Sequence, residues 1–234
     1  MSATSPDIGA EAAWPTAATG RMNRMYRWQR HIYDLTRRYY LLGRDRLIVR
    51  LEPAAGATVL EIGCGTGRNL VHAAMLFPEA QFFGIDVSTE MLASASQAIL
   101  CRGMTDRIRI SHGDGTAFDP QALFGVAAFD RIMISYSLSM IPDWRRAIEA
   151  ATQRLAPGGR LHIVDFGNQE RMPDLARAAL LRWLALFDVT PRDDLACELS
   201  AMASGTGADL NFERPYLGYA QYAVLRLPLG PKAP

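Results

Sequence analysis

Three glycines at alternate positions, Gly63, Gly65 and Gly67, form the stretch of the chain best suited to bind a small ligand. They follow an apolar run that contains Glu61, and a helical pattern begins directly after them at Arg68. Glycine permits positive φ angles and has no Cβ, so a ligand can lie against bare backbone. A strand, a glycine turn and a helix start in this order predict a nucleotide pocket of the kind found in α/β proteins.

The spacing of the glycines argues against a dinucleotide. A dinucleotide fingerprint requires a third Gly or Ala at the sixth position counted from Gly63, and that position is Arg68. The pattern is instead acid-x-Gly-x-Gly-x-Gly, with Glu61 as the acid and Asn69 at the start of the helix.

Two further acids follow predicted strands. Asp86 lies 19 residues after Gly67, where a carboxylate can accept hydrogen bonds from both ribose hydroxyls of a nucleoside. Asp114 follows a third strand and precedes Gly115, and we expect it to accept from an adenine amino group. The competing interpretation of Asp86 is a surface acid that stabilises the start of the helix capped by Ser88.

The elements that must position these residues alternate along the chain. Strands predicted by short apolar runs alternate with helical patterns five times, which indicates a parallel sheet with helices on both faces. Two more alternating segments close the chain as an antiparallel hairpin. The predicted fold class is therefore α/β, a Rossmann-like seven-stranded, mostly parallel sheet with an N-terminal helical lid. The predicted strands are residues 58–62, 81–85, 107–111, 129–135, 160–166, 208–215 and 219–227, and the predicted helices are 68–77, 88–101, 142–155, 172–187 and 191–203.

Composition and charge place further limits on the chain. Its 234 residues are 49% hydrophobic and 21% charged, as in ordinary globular proteins. No apolar run reaches the roughly 18 residues of a membrane span, and we expect no secretory signal. The three cysteines are scattered, so we expect no disulfide and no metal site, and Cys64 is interpreted as a small packing residue.

The positive charge is concentrated near one end. Residues 21–50 contain nine arginines against two aspartates, interleaved with tyrosines, Met and Trp28. Either this segment packs on the core with a solvated arginine face, or it contacts an anionic membrane surface. The predicted organisation is a disordered lead (1–20), a helical lid or membrane-contact segment (21–52), the main domain (53–227) and a loose tail (228–234).

Several strings together resemble the class I S-adenosylmethionine-dependent methyltransferases. They are V-L-E-I-G-C-G-T-G, G-I-D-V-S-T-E-M-L, G-D-G and L-A-P-G-G-R-L-H-I-V-D-F, and the resemblance covers residues 22 to 227. It implies S-adenosyl-L-methionine as the cofactor, with S-adenosyl-L-homocysteine as the product. The implied cofactor-binding residues are Tyr26, Tyr33, Glu61, Gly63, Gly65, Gly67, Asn69, Asp86, Val87, Met91, Asp114, Gly115 and Ser135.

A second resemblance concerns the methyl acceptor. Tyr26 and Tyr33-Asp34 have the spacing found in bacterial phosphatidylethanolamine N-methyltransferases. The longer string H-I-Y-D-L-T-R-R-Y-Y-L-L-G-R-D-R-L-I resembles the betaine-lipid N-methyltransferases, which methylate the amine of diacylglyceryl homoserine to give diacylglyceryl-N,N,N-trimethylhomoserine. This resemblance implies a lipid substrate with an amine headgroup and a cytoplasmic enzyme on the periphery of the inner membrane.

Candidate acceptor-site residues follow from the chemistry of such a headgroup. An amine that becomes a permanent cation is suited to aromatic faces, and Tyr33 and Tyr136 are the candidate catalytic residues. Packed core rings are the alternative for each of them. Further candidates are Tyr40, Arg46 and Trp144 as substrate contacts, Arg171 for the homoserine carboxylate, and Asp143 or Asp165 as proton acceptor.

Three alternatives to this predicted function stay open. The acceptor could be phosphatidylethanolamine, which would keep the basic segment and change only the headgroup pocket. It could instead be a quinone or other small metabolite, which would make the basic segment a dry lid. A catalytically silent cofactor-binding protein is the third, although the acids at 61, 86 and 114 disfavour it. A nucleic-acid substrate is not expected, because Ser135-Tyr136-Ser137-Leu138 stands where an Asn-Pro-Pro-aromatic motif would be.

Overall fold

The structure of the protein is a computed structural model that describes residues 41–230. Within these residues seven strands form one sheet. The strands are β1 (Thr58–Ile62), β2 (Gln81–Asp86), β3 (Ile108–His112), β4 (Phe129–Ser135), β5 (Leu155–Phe166), β6 (Asp209–Glu213) and β7 (Ala220–Arg226). The segments 1–40 and 231–234, and with them Tyr26, Tyr33 and Tyr40, lie outside the described residues.

The strand order is β3-β2-β1-β4-β5-β7-β6. β1 to β5 run parallel, whereas β7 is antiparallel to both β5 and β6. This arrangement confirms the predicted seven-stranded, mostly parallel sheet. The order reverses between β1 and β4, and ligands in open α/β sheets bind at such a point, beyond the carboxyl ends of the strands.

Helices cover both faces of the sheet. They are α1 (Arg44–Val49), α2 (Arg68–Leu76), α3 (Thr89–Leu100), α4 (Pro120–Phe124), α5 (Trp144–Gln153), α6 (Asp174–Ala185) and α7 (Leu195–Thr206). A 3₁₀ turn, Tyr216–Gly218, joins β6 to β7. No helix in residues 41–230 is both long enough and apolar enough to cross a membrane.

Side-chain alternation along the strands builds two cores. In β1, Leu60 and Ile62 face the core that contains α5 and α7, whereas Val59 faces the core that contains α1, α2 and α3. β4 divides in the same way, with Ile132 on the first face and Met133 on the second. Central strands buried on both faces form near-continuous apolar runs, which is why the sequence marks them well.

The observed elements differ from the predicted ones by one or two residues at most boundaries, and by more at three places. β5 begins at Leu155 rather than 160, because Pro157 to Gly159 forms an irregularity inside the strand, where the register with β4 shifts. α7 begins at Leu195 rather than 191, and α4 was not predicted at all. Gly43 has a φ of 85° immediately before α1.

Candidate functional site

The glycine turn is a tight loop between β1 and α2. Gly63, Gly65 and Gly67 all have positive φ angles, of 72°, 52° and 71°. The backbone N–H groups of Gly63 and Cys64 both donate to the Ile85 carbonyl oxygen, at 2.9 and 3.0 Å. The turn is therefore fixed to the end of β2, which holds it next to the acid that follows.

The glycines are required by the close approach of neighbouring segments. A Cβ on Gly63 would lie 2.6 Å from the Ser137 Cβ, and one on Gly115 would lie 2.5 Å from the Ile62 Cγ2. A Cβ on Gly67 would meet Ala95 at 3.0 Å. These three glycines therefore allow neighbouring segments of the protein to pack closely, and the backbone of Gly63 and Gly65 also lines the cavities beside the turn.

Asp86 connects the turn to the segment after β2. Its Oδ2 accepts a hydrogen bond from the Gly65 N–H at 2.7 Å, and its Oδ1 accepts from the Ser88 N–H at 2.9 Å. Each carboxylate oxygen has a second lone pair with which it can accept from a ligand hydroxyl. Ser88 in turn caps α3 by accepting from the Met91 N–H at 3.3 Å. Asp86 thus orders the turn as well as facing the cavity beside it.

Glu61 and Asn69 lie together at the end of β1. The Asn69 Nδ2 donates to the Glu61 Oε1 at 2.7 Å, and the Glu61 side chain is buried. Ser135, at the end of the neighbouring strand β4, has a buried hydroxyl with no hydrogen-bond partner among residues 41–230. A polar group buried in this way calls for a partner, and a polar ligand could supply it.

Asp114 follows β3 at the other side of the turn. Its Oδ1 accepts from both the backbone N–H and the hydroxyl of Thr116, each at 2.8 Å. These bonds fix the carboxylate at the mouth of the cavity that Gly115, Val87 and Met91 also line. The structure therefore brings Asp114 and Asp86 to one cavity, as the sequence predicted.

Two cavities meet at the glycine turn, and Gly63 and Gly65 line both. The first, of about 250 Å³, is lined by Glu61, Asn69, Ser135, Cys64, Thr66, Arg68, Leu41 and Arg44. The second, of about 90 Å³, is lined by Ile62, Asp86, Val87, Met91, Gly113, Asp114, Gly115, Tyr136, Ser137, Met140 and Ile141. An elongated ligand can therefore place one polar end near Glu61, the other near Asp86 and Asp114, and its middle on the turn.

Tyr136 begins the loop after β4 and has a φ of 55°. Its ring is only 2% exposed and packs edge-on against Phe166, with ring centroids 4.6 Å apart. Its hydroxyl donates to the Leu42 carbonyl oxygen at 2.5 Å, and burial raises the pKa of that hydroxyl well above its usual value. The tyrosine therefore lines the second cavity while tying it to the segment before α1.

Among the candidate acceptor residues that the structure describes, Tyr136 alone lines one of these two cavities. Trp144 is a core residue with Arg145 above its ring, and Arg46 forms an ion pair with Glu213 at 2.5 Å. Asp165 is fully buried and accepts from the backbone N–H groups of Ser139 and Phe166. Burial raises the pKa of Asp165.

Sequence reasoning did not predict five of the residues that line the first cavity as binding residues: Leu41, Arg44, Cys64, Thr66 and Arg68. Arg44 is only 8% exposed and shares the buried face of α1 with Leu47 and Ile48. Its spacing of three and four residues from those apolar positions was the signal that placed it on the inner face. We instead grouped it with the arginines of a solvated surface.

Cys64 lies in the turn with a buried thiol, and burial, with the nearby Asp86 and Glu61 charges, raises the pKa of that thiol well above its usual range. It is therefore held neutral, as expected of a packing residue. Within the described part of the chain, no group of three or more His, Cys, Asp or Glu side chains could hold a metal ion.

Comparison with known proteins agrees with this geometry. Residues 60–161 match a family model described as a methyltransferase domain. The chain is 31% identical over 149 residues to the O-methyltransferase cnsE of Penicillium expansum, covering 63% of this chain and 51% of that protein. It is 26% identical over 140 residues to the demethylmenaquinone methyltransferase of Geobacillus kaustophilus, covering 59% of this chain and 54% of that protein.

Solved structures show the same fold. An O-methyltransferase family protein from Burkholderia thailandensis superposes with a TM-score of 0.69 at 17% identity, covering 90% of this chain and 63% of that one. Residues 60–161 thus resemble a methyltransferase domain, and the chain has the same Rossmann-like fold as that methyltransferase structure. It spans about half the length of the curated relatives that it matches first.

The residues present fit S-adenosylmethionine, the cofactor of this fold. The molecule has an amino-acid end, a sulfonium centre and an adenosine end, in that order. The buried Ser135 hydroxyl and the Glu61–Asn69 pair provide polar groups for the first end, and Asp86 and Asp114 provide acceptors for the last. The backbone of Gly63 and Gly65, which lines both cavities, would lie against the middle.

Proposed function

We propose that this protein transfers a methyl group from S-adenosylmethionine to an acceptor bound beyond the carboxyl ends of β1 and β4. The observation that carries the proposal is the meeting of the two cavities at Gly63 and Gly65, with acids on both sides. The cofactor supplies a methyl group already activated by the sulfonium. The main task of the protein is therefore to position the two reactants. Holding two reactants in the correct geometry can by itself supply a large part of the rate enhancement of an enzyme.

The residues of the site have separate tasks under this proposal. Asp86 and Asp114 accept hydrogen bonds from the nucleoside, and the glycine turn holds the ligand against backbone. Glu61, oriented by Asn69, faces the amino-acid end. Arg44 and Leu41, at the wall of the first cavity, lie where the acceptor would approach. Titration calorimetry with S-adenosylmethionine and S-adenosylhomocysteine tests this step, and absence of binding would refute it.

For the acceptor we propose the amine of diacylglyceryl homoserine, methylated on nitrogen to the trimethylated betaine lipid. The support is the string from His31 to Ile48, whose final part, Leu41 to Ile48, forms the cavity wall and α1. An ammonium has no lone pair with which to attack, so the amine must lose its proton before or during docking. Tyr136 is the described aromatic candidate beside the growing cation.

Membrane association is part of the same proposal. The arginine-rich segment 21–50 would bring a cytoplasmic enzyme to the anionic surface of the inner membrane, where the substrate lies. Sedimentation with anionic and with neutral vesicles tests this point. If the protein sediments with neither kind of vesicle, the membrane proposal is refuted, whereas the methyl-transfer proposal is unaffected.

A small-metabolite acceptor is the second candidate. It is favoured by the relatives named above, an O-methyltransferase and a demethylmenaquinone methyltransferase. Phosphatidylethanolamine is the closest lipid alternative. Mass spectrometry of lipids from a host supplied with diacylglyceryl homoserine and this protein separates them: gains of one, two or three methyl groups on that lipid support the proposal, and an unchanged lipid refutes it.

A further inference from the structure

Three adjacent strands each place an arginine at the same level of the sheet. Arg131 of β4 is in register with Arg160 of β5, which is in register with Arg226 of β7. We call these three residues the arginine row. Neighbouring strands lie about 4.8 Å apart, and like charges directly opposite one another destabilise a sheet. The row therefore concentrates positive charge at an energetic cost to the fold.

The row lies on the face that α1 covers, and its charge is only partly compensated there. Arg131 donates to the carbonyl oxygens of Leu51 and Glu52, just after α1. Arg160 lies 3.6 Å from the Glu52 carboxylate, which is largely exposed. Burial, and then the charge of Arg160, lower the pKa of the Arg131 guanidinium, and the charges of Asp130 and Glu52 offset only part of this effect.

Arg50 extends the positive cluster from α1. Its guanidinium is 2.8 Å from the Glu213 carboxylate, which also pairs with Arg46, so one acid serves two arginines. Asp209 is the acid in register with Arg226. Five arginines therefore lie near four carboxylates, those of Glu52, Asp130, Glu213 and Asp209.

His162 provides an independent observation beneath the row. It lies two positions after Arg160 on the same face of β5, and its side chain is 1% exposed. Neither ring nitrogen has a hydrogen-bond partner within residues 41–230. Burial and the charges of Arg131, Arg160 and Arg50 lower the pKa of His162 to about 3. A neutral imidazole thus lies buried, with its donor and its acceptor both unused, next to an excess of guanidinium groups.

We propose that the arginine row and Arg50 bind an oxyanion of the phosphate class. Guanidinium groups match phosphate oxygens through paired hydrogen bonds, and they bind more strongly than neutral donors. An anion among these side chains, above the face of the sheet, would relieve the repulsion along the row. It would also neutralise the charge excess left by Glu52 and Glu213.

The site is separate from the cofactor cavities. Arg131 precedes Ser135 by four residues along β4, which corresponds to about 13 Å of strand. α1 spans the interval, because Arg44 at its start lines the first cavity and Arg50 follows its end. The proposal does not depend on methyl transfer, and it can hold or fail independently of the proposed function.

Phosphate binding to the full chain tests the proposal. Thermal unfolding and titration calorimetry would compare inorganic phosphate with chloride at equal ionic strength. We expect phosphate to raise the unfolding temperature of the wild-type protein, and the affinity to fall about tenfold in R226Q and further in R160Q/R226Q. R102Q, at the exposed end of α3, is the charge-matched control and should behave like the wild type.

Vesicles separate the two sources of the same chemistry. Phosphatidylglycerol and phosphatidylcholine vesicles would be compared for the wild type, R226Q and R160Q/R226Q. If the variants lose binding of inorganic phosphate, the ligand is free phosphate. If they instead lose binding to phosphatidylglycerol vesicles and still bind inorganic phosphate as the wild type does, the ligand is a lipid phosphodiester. If neither ligand distinguishes the variants from R102Q, the proposal is overturned. R226Q alters an exposed side chain, so at least this variant should fold.

Discussion

The Tyr136 hydroxyl donates a hydrogen bond to the Leu42 carbonyl oxygen, at 2.5 Å. This bond joins the loop that lines the second cavity to the segment that walls the first. The two residues are 94 positions apart, so the bond links the basic N-terminal region to the switch point of the sheet.

The first prediction removes that bond. In Y136F the Leu42 carbonyl loses the hydrogen bond that the buried tyrosine donates, which should lower the free energy of unfolding by about 1 kcal/mol. The same change should weaken S-adenosylmethionine binding, because the loop lines the cavity. Urea unfolding and titration calorimetry measure the two effects. Y216F is the control, since Tyr216 is 46% exposed, and an equal loss in both variants would contradict the prediction.

The second prediction concerns Asp86. D86N replaces a carboxylate that accepts from Gly65 and Ser88 with an amide that offers one accepting oxygen. Loss of charge-assisted hydrogen bonds should weaken S-adenosylmethionine binding about 10- to 100-fold. D106N changes an exposed aspartate in a turn and should bind normally. Wild-type affinity in D86N would show that Asp86 does not contact the nucleoside.

The third prediction separates two effects of replacing a glycine by alanine, the strain of a positive φ angle and the steric clash of the new Cβ with neighbouring atoms. G63A and G103A both place a Cβ on a residue with positive φ, of 72° and 62° respectively. Only at Gly63 would that Cβ meet other atoms, those of Ser137, whereas Gly103 has none within 4 Å. We expect G103A to cost about 1 kcal/mol of stability. G63A should cost more and should abolish cofactor binding, as measured by calorimetry; retained binding in G63A would argue against contact between the cofactor and the backbone of this residue.

The fourth prediction is a pH dependence from His162. The unfolded histidine protonates near its ordinary pKa of 6.5, whereas the folded residue resists protonation down to about 3. The folded state therefore binds fewer protons between these values, so the stability contributed by His162 is complete above pH 6.5 and falls as the pH decreases. The loss should approach about 1.4 kcal/mol per pH unit at most.

Denaturant unfolding of the wild type and H162L between pH 7 and pH 4.5 measures this slope. The free energy of unfolding of H162L should fall less steeply as the pH decreases. H112L, which changes an exposed histidine at the end of β3, should keep the wild-type slope. Burial raises the pKa of Asp165, so the contribution of Asp165 to the free energy of unfolding changes with pH in the opposite direction. Asp165 is present in all three proteins and does not affect the comparison. Parallel curves for the wild type and H162L would contradict the assignment.

The sequence predicted those parts of the fold in which local pattern and tertiary role coincide. β1 and β4 were placed to the residue, because each is a continuous apolar run between clear turn residues. The start of α7 was not, because the preceding segment bonds to distant backbone. The Arg192 side chain donates to the carbonyl oxygens of Leu138 and Ile141, and the Thr190 N–H donates to Ser139.

The site shows the same division. Asp86 and Asp114 were predictable because strand ends in a parallel sheet meet at one edge. The role of Arg44 in the cavity wall, and the bond from Tyr136 to Leu42, depend on how α1 packs across the sheet. The packing of α1 across the sheet could not be predicted from the spacing of residues along the chain. Tyr33 and Tyr40, proposed for the acceptor, lie outside the described residues and stay predictions.

Transfer of a labelled methyl group tests the central claim most directly. The protein would be incubated with S-adenosylmethionine carrying a trideuterated methyl, together with either a lipid extract that contains diacylglyceryl homoserine or a soluble-metabolite extract. We predict label on nitrogen of that lipid, present with the wild type and D106N and reduced at least about tenfold with D86N. Binding of S-adenosylmethionine without label in either extract would contradict the account and would indicate a cofactor-binding protein that does not catalyse methyl transfer.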